Sequence, residues 1–325
     1  MTQDARPARP RHPYLAVLTA VVCQGCATLG GDPGQSLVPT RYETRTGPFV
    51  VYSNSPINAD SASIRCLHSL ERDLGATLGV RVRPDGPPVE IYVLRDRDAF
   101  THFLTFYYPE LPPRRAFFLA QGPRRVIYTF HNDRLDEDLR HEATHALLHV
   151  AVGDLPLWLD EGLAEYFEGP DGRQGLNPEH LARLPEDFKT GWRPDLARLE
   201  SLKSVRDMTP RDYRESWAWV HYLLNGPAPG KAALLAELAD LTSRPKTAET
   251  FTVRLARHEP ATAQRLLAHL DRVGSSTPPA PVASADAPVD PTVLLQNSSI
   301  APARKSFFGR LLGWMGLSGK SEDGR

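Results

Sequence analysis

His141-Glu142-Ala143-Thr144-His145, followed by Trp158-Leu159-Asp160-Glu161-Gly162-Leu163-Ala164-Glu165-Tyr166, is the stretch of this 325-residue chain on which its reading turns. On a helix, residues four apart lie one above the other, so the imidazoles of His141 and His145 can reach a single ion. Glu142 falls about 100° round the helix from His141, beside such an ion rather than bonded to it. A carboxylate in that place can take a proton from a metal-activated water, the general-base role attached to HExxH. The first segment thus offers two metal ligands and a base.

The apolar positions Leu139, Ala143, Ala146, Leu147 and Val150 extend the helix from about Leu135 to Val152. Gly153 is placed to end it in the left-handed conformation, and Asp154-Leu155-Pro156 reads as a tight turn. A second helix starting near Pro156 then returns beside the first, with Glu161 and Glu165 one turn apart. A catalytic zinc takes three protein ligands and leaves one position for water. His141, His145 and Glu161 meet that requirement, which makes one Zn2+ the expected cofactor. HExxH alone occurs by chance in helices, and a glutamate pair is commonly a solvated face. The weight comes from both patterns, in the right order, across a plausible turn.

HExxH followed by a helix bearing W-L-x-E-G-x-A-E-Y resembles the gluzincins, the thermolysin-like and aminopeptidase-like zinc metallopeptidases. Within them it is most similar to the small peptidase MA-like domains of bacterial envelope proteins. The strong resemblance covers roughly Asp138 to Glu168, with a weaker one through Leu224. It implies a zincin-like α+β fold: a small mixed sheet over the HExxH helix, then a mostly helical C-terminal part. It also implies Glu161 as the third ligand and Glu165 as an outer residue hydrogen-bonded to a ligand histidine, which fixes that ring's other nitrogen. In gluzincins a tyrosine or histidine on a later segment commonly steadies the oxyanion. Here Thr209 reads as an N-cap with Pro210 at the first helical position. Tyr213, Trp217 and His221 then share one face of that helix, and Tyr213 is the candidate catalytic residue. The alternative is that this face merely packs against the two ligand helices.

The remaining histidines are read as ordinary. His149 lies eight residues from His141, about 12 Å along a helix, too far to share an ion whose bonds are about 2 Å. It is expected to interact with the helix C-terminus. His131 belongs to the turn before the helix, and His102, His180, His258 and His269 show no ligand spacing.

Around the motif, residues 1–26 read as a secretory signal, with Arg6, Arg9 and Arg11 ahead of the apolar run Leu15 to Val22. That run is too short to span a bilayer. Gly25-Cys26 resembles a bacterial lipoprotein processing site with Cys26 as the lipidated residue; a simple cleaved signal and an uncleaved anchor remain alternatives. Residues 27–40 read as a linker and 41–273 as the zinc metallopeptidase-like domain. Residues 274–303 form a Pro/Ala/Ser-rich linker, and 304–325 a basic, aromatic tail suited to an anionic membrane surface, a partner's groove or a fold-back onto the domain. Three cysteines give no disulfide framework, and Cys66, in an amphipathic helix, is expected in the core. A net charge of −1 gives no electrostatic case for nucleic acid.

Strands are expected at 49–53, 89–94, 116–120 and 126–130, with a helix from about Ala59 to Leu78 and a hairpin at 121–125. Further helices are expected at 231–241, 247–258 and 260–273. The sequence therefore points to a zinc-dependent peptidase acting on peptides or proteins. Its expected place is a periplasm-facing lipoprotein of the bacterial envelope, or the periplasm itself. The rival expectation is a non-catalytic, partner-binding envelope protein on the same scaffold.

Overall fold

Short β-branched and aromatic runs build a five-stranded sheet in the N-terminal half of this computed structural model, which describes residues 37–82, 86–109, 111–169, 173–242 and 249–276. Strands β1 (Tyr42–Thr46) and β2 (Phe49–Ser53) form an antiparallel hairpin. Helix α1 (Ala62–Leu78) then leads to β3 (Val89–Leu94), which lies parallel to β2. After α2 (Arg97–Tyr107), β4 (Phe117–Gln121) and β5 (Arg124–Phe130) make a second antiparallel hairpin, with β5 parallel to β3. The order β1-β2-β3-β5-β4 places three parallel strands in the middle and an antiparallel strand at each edge. The architecture is α+β.

Alternation along the strands decides what covers each face. Val89, Ile91, Val93 and Ile127 turn toward α1 and toward α3 (Leu135–Ala151), in one core with Leu67, Leu70, Leu139 and Ala143. Val126, Tyr128, Phe130 and Leu94 turn the other way and meet Phe100, Phe103 and Leu104 of α2. On that second face Tyr52, Tyr92 and Tyr128 stand in register across β2, β3 and β5, their rings stacked at 4.9 and 5.3 Å.

Helix α3 runs between the sheet and the helical part, so it is buried on most sides. Its Arg140 bolts three elements together. Nε donates to the carbonyl of Phe167 (2.7 Å), one terminal nitrogen to Ser69 Oγ (3.1 Å) and the other to Asp73 Oδ2 (2.8 Å). A guanidinium this deeply placed is tolerable only with such partners. Gly153 follows α3 with φ +96°, the left-handed end expected from the sequence.

The chain then turns into α4 (Leu157–Phe167), α5 (Pro178–Lys189), α6 (Leu196–Ser201), a 3₁₀ turn at Val205–Asp207 and α7 (Pro210–Asn225). Helices α8 (Ala228–Thr242), α9 (Phe251–His258) and α10 (Thr262–Ser276) complete the helical part. A capping box between Thr209 and Asp212 starts α7, and every residue from Glu215 to Leu224 is buried. It crosses α4 at Gly162, where an added Cβ would lie 2.6 Å from the carbonyl oxygen of Ser216. Only glycine permits that approach. Trp158, Trp192, Trp217 and Trp219 are all buried in this helical part, and the described sheet contains no tryptophan.

Strand β1 and helices α2, α5 and α6 go beyond the expected elements, and α10 runs to Ser276, three residues into the segment expected as linker. Cys66 is a correction. It is half-buried rather than in the core, because it sits on the side of α1 that faces the start of α3, where Sγ contacts the carbonyl of Asp136 at 3.2 Å. Residues 1–36, including the expected signal and Cys26, and the tail 304–325 lie outside the described residues. No helix among those described is long and apolar enough to cross a membrane.

Candidate metal centre

Two helices bring three candidate ligand atoms together. His141 and His145 point from consecutive turns of α3, and Glu161 points back from the first half of α4. Glu161 Oε2 lies 3.8 Å from His141 Nε2 and 3.7 Å from His145 Nε2. These gaps are too long for hydrogen bonds. They are close to the ~3.4 Å that separates two ligands of a tetrahedral ion with bonds of about 2.0–2.1 Å. Two imidazoles and one carboxylate are the donor set of a three-ligand zinc site, so these residues fit the ion.

The back of each imidazole is held. His141 Nδ1 donates to Glu168 Oε2 at 3.0 Å, so that in the neutral ring Nε2 is the lone-pair atom facing the centre. His145 Nδ1 lies 2.9 Å from Asp160 Oδ1 as an ion pair, off the line of a good hydrogen bond. The other oxygen of Asp160 accepts from His149 Nε2 at 3.1 Å. Asp160 therefore links His149 to His145.

Glu165 does not take the outer position expected for it; Glu168 holds His141 instead. The cause lies in α5. His180 Nε2 donates to Glu165 Oε2 at 2.8 Å and draws that carboxylate to itself. Asn177, the N-cap of α5, spans both carboxylates through Nδ2, at 3.3 Å from Glu165 and 2.8 Å from Glu168. His180 is thus part of the site's support, although its position in the sequence gives no ligand spacing.

Electrostatically the pocket seeks a cation. Burial works against a charged His141, yet the Glu168 hydrogen bond and the charges of Glu142, Glu168 and Glu165 lift its pKa well above the ordinary value. Burial likewise opposes a charge on His145, and Asp160 and Glu161 override it, raising the pKa to about 9. Asp160 is held far below the usual carboxylate range: burial would raise it, and His145 and His149 more than reverse that. Within the Glu165–Glu168 pair, burial and the Glu165 charge push Glu168 up, while His180 against the pull of burial keeps Glu165 down. A divalent ion would satisfy the same field that here favours protons on histidine.

Glu142 lines a cleft of about 300 Å³ together with His141, Glu165, Glu168, Arg114 and Ala116. Tyr213 approaches from α7. Burial first, then the charges of Glu161, Glu165 and Glu142, hold its phenol protonated, and Arg114 acts in the opposite sense. Tyr213 therefore lies close enough to the carboxylates of α3 and α4 to feel their charge, and it stands on α7 one turn before the close approach of that helix to α4. His221, two turns further along α7, points elsewhere. It is buried against His269, 2.8 Å away, and takes no part in the site. Strand β4 is the sheet edge beside α3, and its Phe118 ring stacks at 6.3 Å from His145.

Residues 137–245 match a protein family described as a protein of unknown function, DUF1570. The matched segment takes in α3 from its third residue onward with α4, α5 and α7, and so every residue of the candidate centre from His141 to Tyr213. No curated protein matches the chain.

Proposed function

We propose that this chain is a zinc-dependent peptidase of gluzincin type, with a zincin-like arrangement of sheet and helices. The observation that carries the proposal is the convergence of His141 Nε2, His145 Nε2 and Glu161 Oε2 within 4.8 Å of one another, beside a cleft lined by Glu142. His141, His145 and Glu161 would hold the ion. Bound zinc supplies Lewis acidity, which lowers the pKa of the attacking water and polarises the scissile carbonyl. Glu142 accepts the proton of that water as it adds to the carbonyl carbon, then delivers it to the departing amine nitrogen. The Tyr213 hydroxyl donates to the carbonyl oxygen as negative charge develops on it. Glu168 and Asp160 keep the ligand imidazoles in orientation and tautomer. The open edge of β4 beside α3 suits pairing with an extended peptide through backbone hydrogen bonds, which tolerates varied side chains. The proposed location, the bacterial envelope by way of a lipidated Cys26, rests on the sequence of residues 1–26 alone.

Metal analysis followed by peptide digestion tests the reading. Wild-type protein should carry near-stoichiometric zinc, and Glu161→Ala should lose it. Glu142→Ala should keep zinc and lose cleavage of a proteome-derived peptide mixture followed by mass spectrometry. Zinc-loaded wild type that cuts nothing would leave the partner-binding reading in its place.

A further inference from the structure

Arg114 and Arg115 stand side by side ahead of β4, and the structure employs them differently. Arg115 is committed to the start of α3: its guanidinium lies 2.7 Å from Asp138 Oδ1 and 3.4 Å from Glu137 Oε1. Arg114 donates through Nε to the carbonyl of Pro112, 3.3 Å away in its own loop, and forms no ion pair with a described carboxylate. Its partly exposed side chain lines the cleft with His141 and Glu142, and its charge reaches the Tyr213 phenol.

The carboxylates nearby already have partners. Glu165 is taken by His180 and Asn177, Glu168 by His141 and Asn177, and Glu137 by Arg134 and Arg115. Glu161 faces the metal position, and Glu142 is needed as base. A guanidinium is a rigid fork of N–H donors matched to a carboxylate, and Arg114 lines the cleft without an ion pair to any described carboxylate.

We infer that Arg114 is a specificity-determining residue that receives a carboxylate of the substrate, so that the peptides taken best carry an acidic group close to the bond that is cut. The inference rests on the peptidase reading of the same cleft. An aspartate or glutamate side chain and a free C-terminus offer the same chemistry.

The test uses full-length, zinc-loaded protein carrying Glu142→Ala, so that peptides bind without turnover. The probes are hexapeptide amides in which one glutamate is moved through every position, the all-glutamine parent amide, and that parent as the free acid. At one or more positions the carboxylate should tighten binding about tenfold, as a charge-assisted hydrogen bond in a half-open site does. Adding Arg114→Gln should collapse the ratio to within about twofold, Arg114→Lys should keep part of it, and rising salt should erode it. A gain confined to internal glutamate assigns the side chain, and a gain confined to the free acid assigns the terminus. Either supports the inference. Binding with no carboxylate preference, or a preference that survives Arg114→Gln, overturns it while leaving the peptidase reading intact. Failure of the zinc-loaded protein to bind any of these peptides overturns both.

Discussion

Gly162→Ala isolates the close approach of α4 to α7, one turn beyond Tyr213. The new methyl would lie 2.6 Å from the Ser216 carbonyl oxygen and 2.8 Å from Val220 Cγ2, against an ordinary contact of 3.4 Å or more. The obstacle is helix backbone, so α4 and α7 must part by several tenths of an ångström. Overpacking of this kind costs about 1–3 kcal/mol, and the better helix propensity of alanine returns up to about 1 kcal/mol. A clash at 2.6 Å with backbone falls in the upper part of that range, about 2–3 kcal/mol, so the net loss after about 1 kcal/mol from propensity is about 1–2 kcal/mol, or about 2–6 °C in melting temperature for a domain of this size. Gly75→Ala in α1 is the matched control, because its Cβ would meet only the Val80 carbonyl at an ordinary 3.6 Å. It should gain stability from propensity alone. Thermal and urea unfolding of both variants should therefore give shifts of opposite sign. A Gly162→Ala protein as stable as wild type, or more so, would refute the claim that the α4–α7 approach requires glycine.

Asp160→Asn should weaken zinc binding about 10–100-fold, because the back of His145 loses its charged partner. Competition with a chromogenic chelator measures it, with the exposed Asp154→Asn as a control that changes little. The buried pair His221 and His269 should make the fold acid-sensitive. Burial lowers their pKa values to about 3 and about 4, so the unfolded chain binds protons that the folded one refuses. Their contribution is intact above pH 6.5 and is lost as pH falls toward 4, at up to about 1.4 kcal/mol per pH unit for each histidine. In urea titrations between pH 6 and 5, His269→Gln should flatten this slope relative to wild type; an unchanged slope would dismiss the pair as its source. Arg140→Met should cost about 3 kcal/mol in the same assay, since it strands the Phe167 carbonyl and the partly buried Asp73.

The grouping of His141, His145 and Glu161 was legible because it is local. His141 and His145 are fixed by helical spacing, and Glu161 follows from a turn whose end Gly153 signals. The supporting groups were not legible, for a geometric reason. Glu165 lies one turn beyond Glu161 and shares its face, which makes it the natural choice to hold a ligand histidine. Which carboxylate reaches His141 Nδ1 depends instead on the rotation of α4 against α3 and on where α5 begins with Asn177 and His180. No short-range pattern encodes either. Asp160 sat unread inside the quoted motif, since its role needs His145 and His149 of the facing helix. Strand β1 was missed because Tyr42-Glu43-Thr44-Arg45-Thr46 is a polar edge, with little apolar alternation to mark it. Arg114 has meaning only through the loop that carries it to the cleft.

The partition of aromatic residues gives the molecule two optical reporters that no labelling is needed to install. Among the described residues, tryptophan emission comes from the helical part alone, and Trp217 has the ring of His180 at 5.4 Å, one hydrogen bond from Glu165. The stacked tyrosines of β2, β3 and β5 supply a separate exciton-coupled signal from the sheet. Following both during chelation and heating would tell whether removal of the proposed ion first loosens the helices that carry His141, His145 and Glu161, or releases sheet and helices in one step.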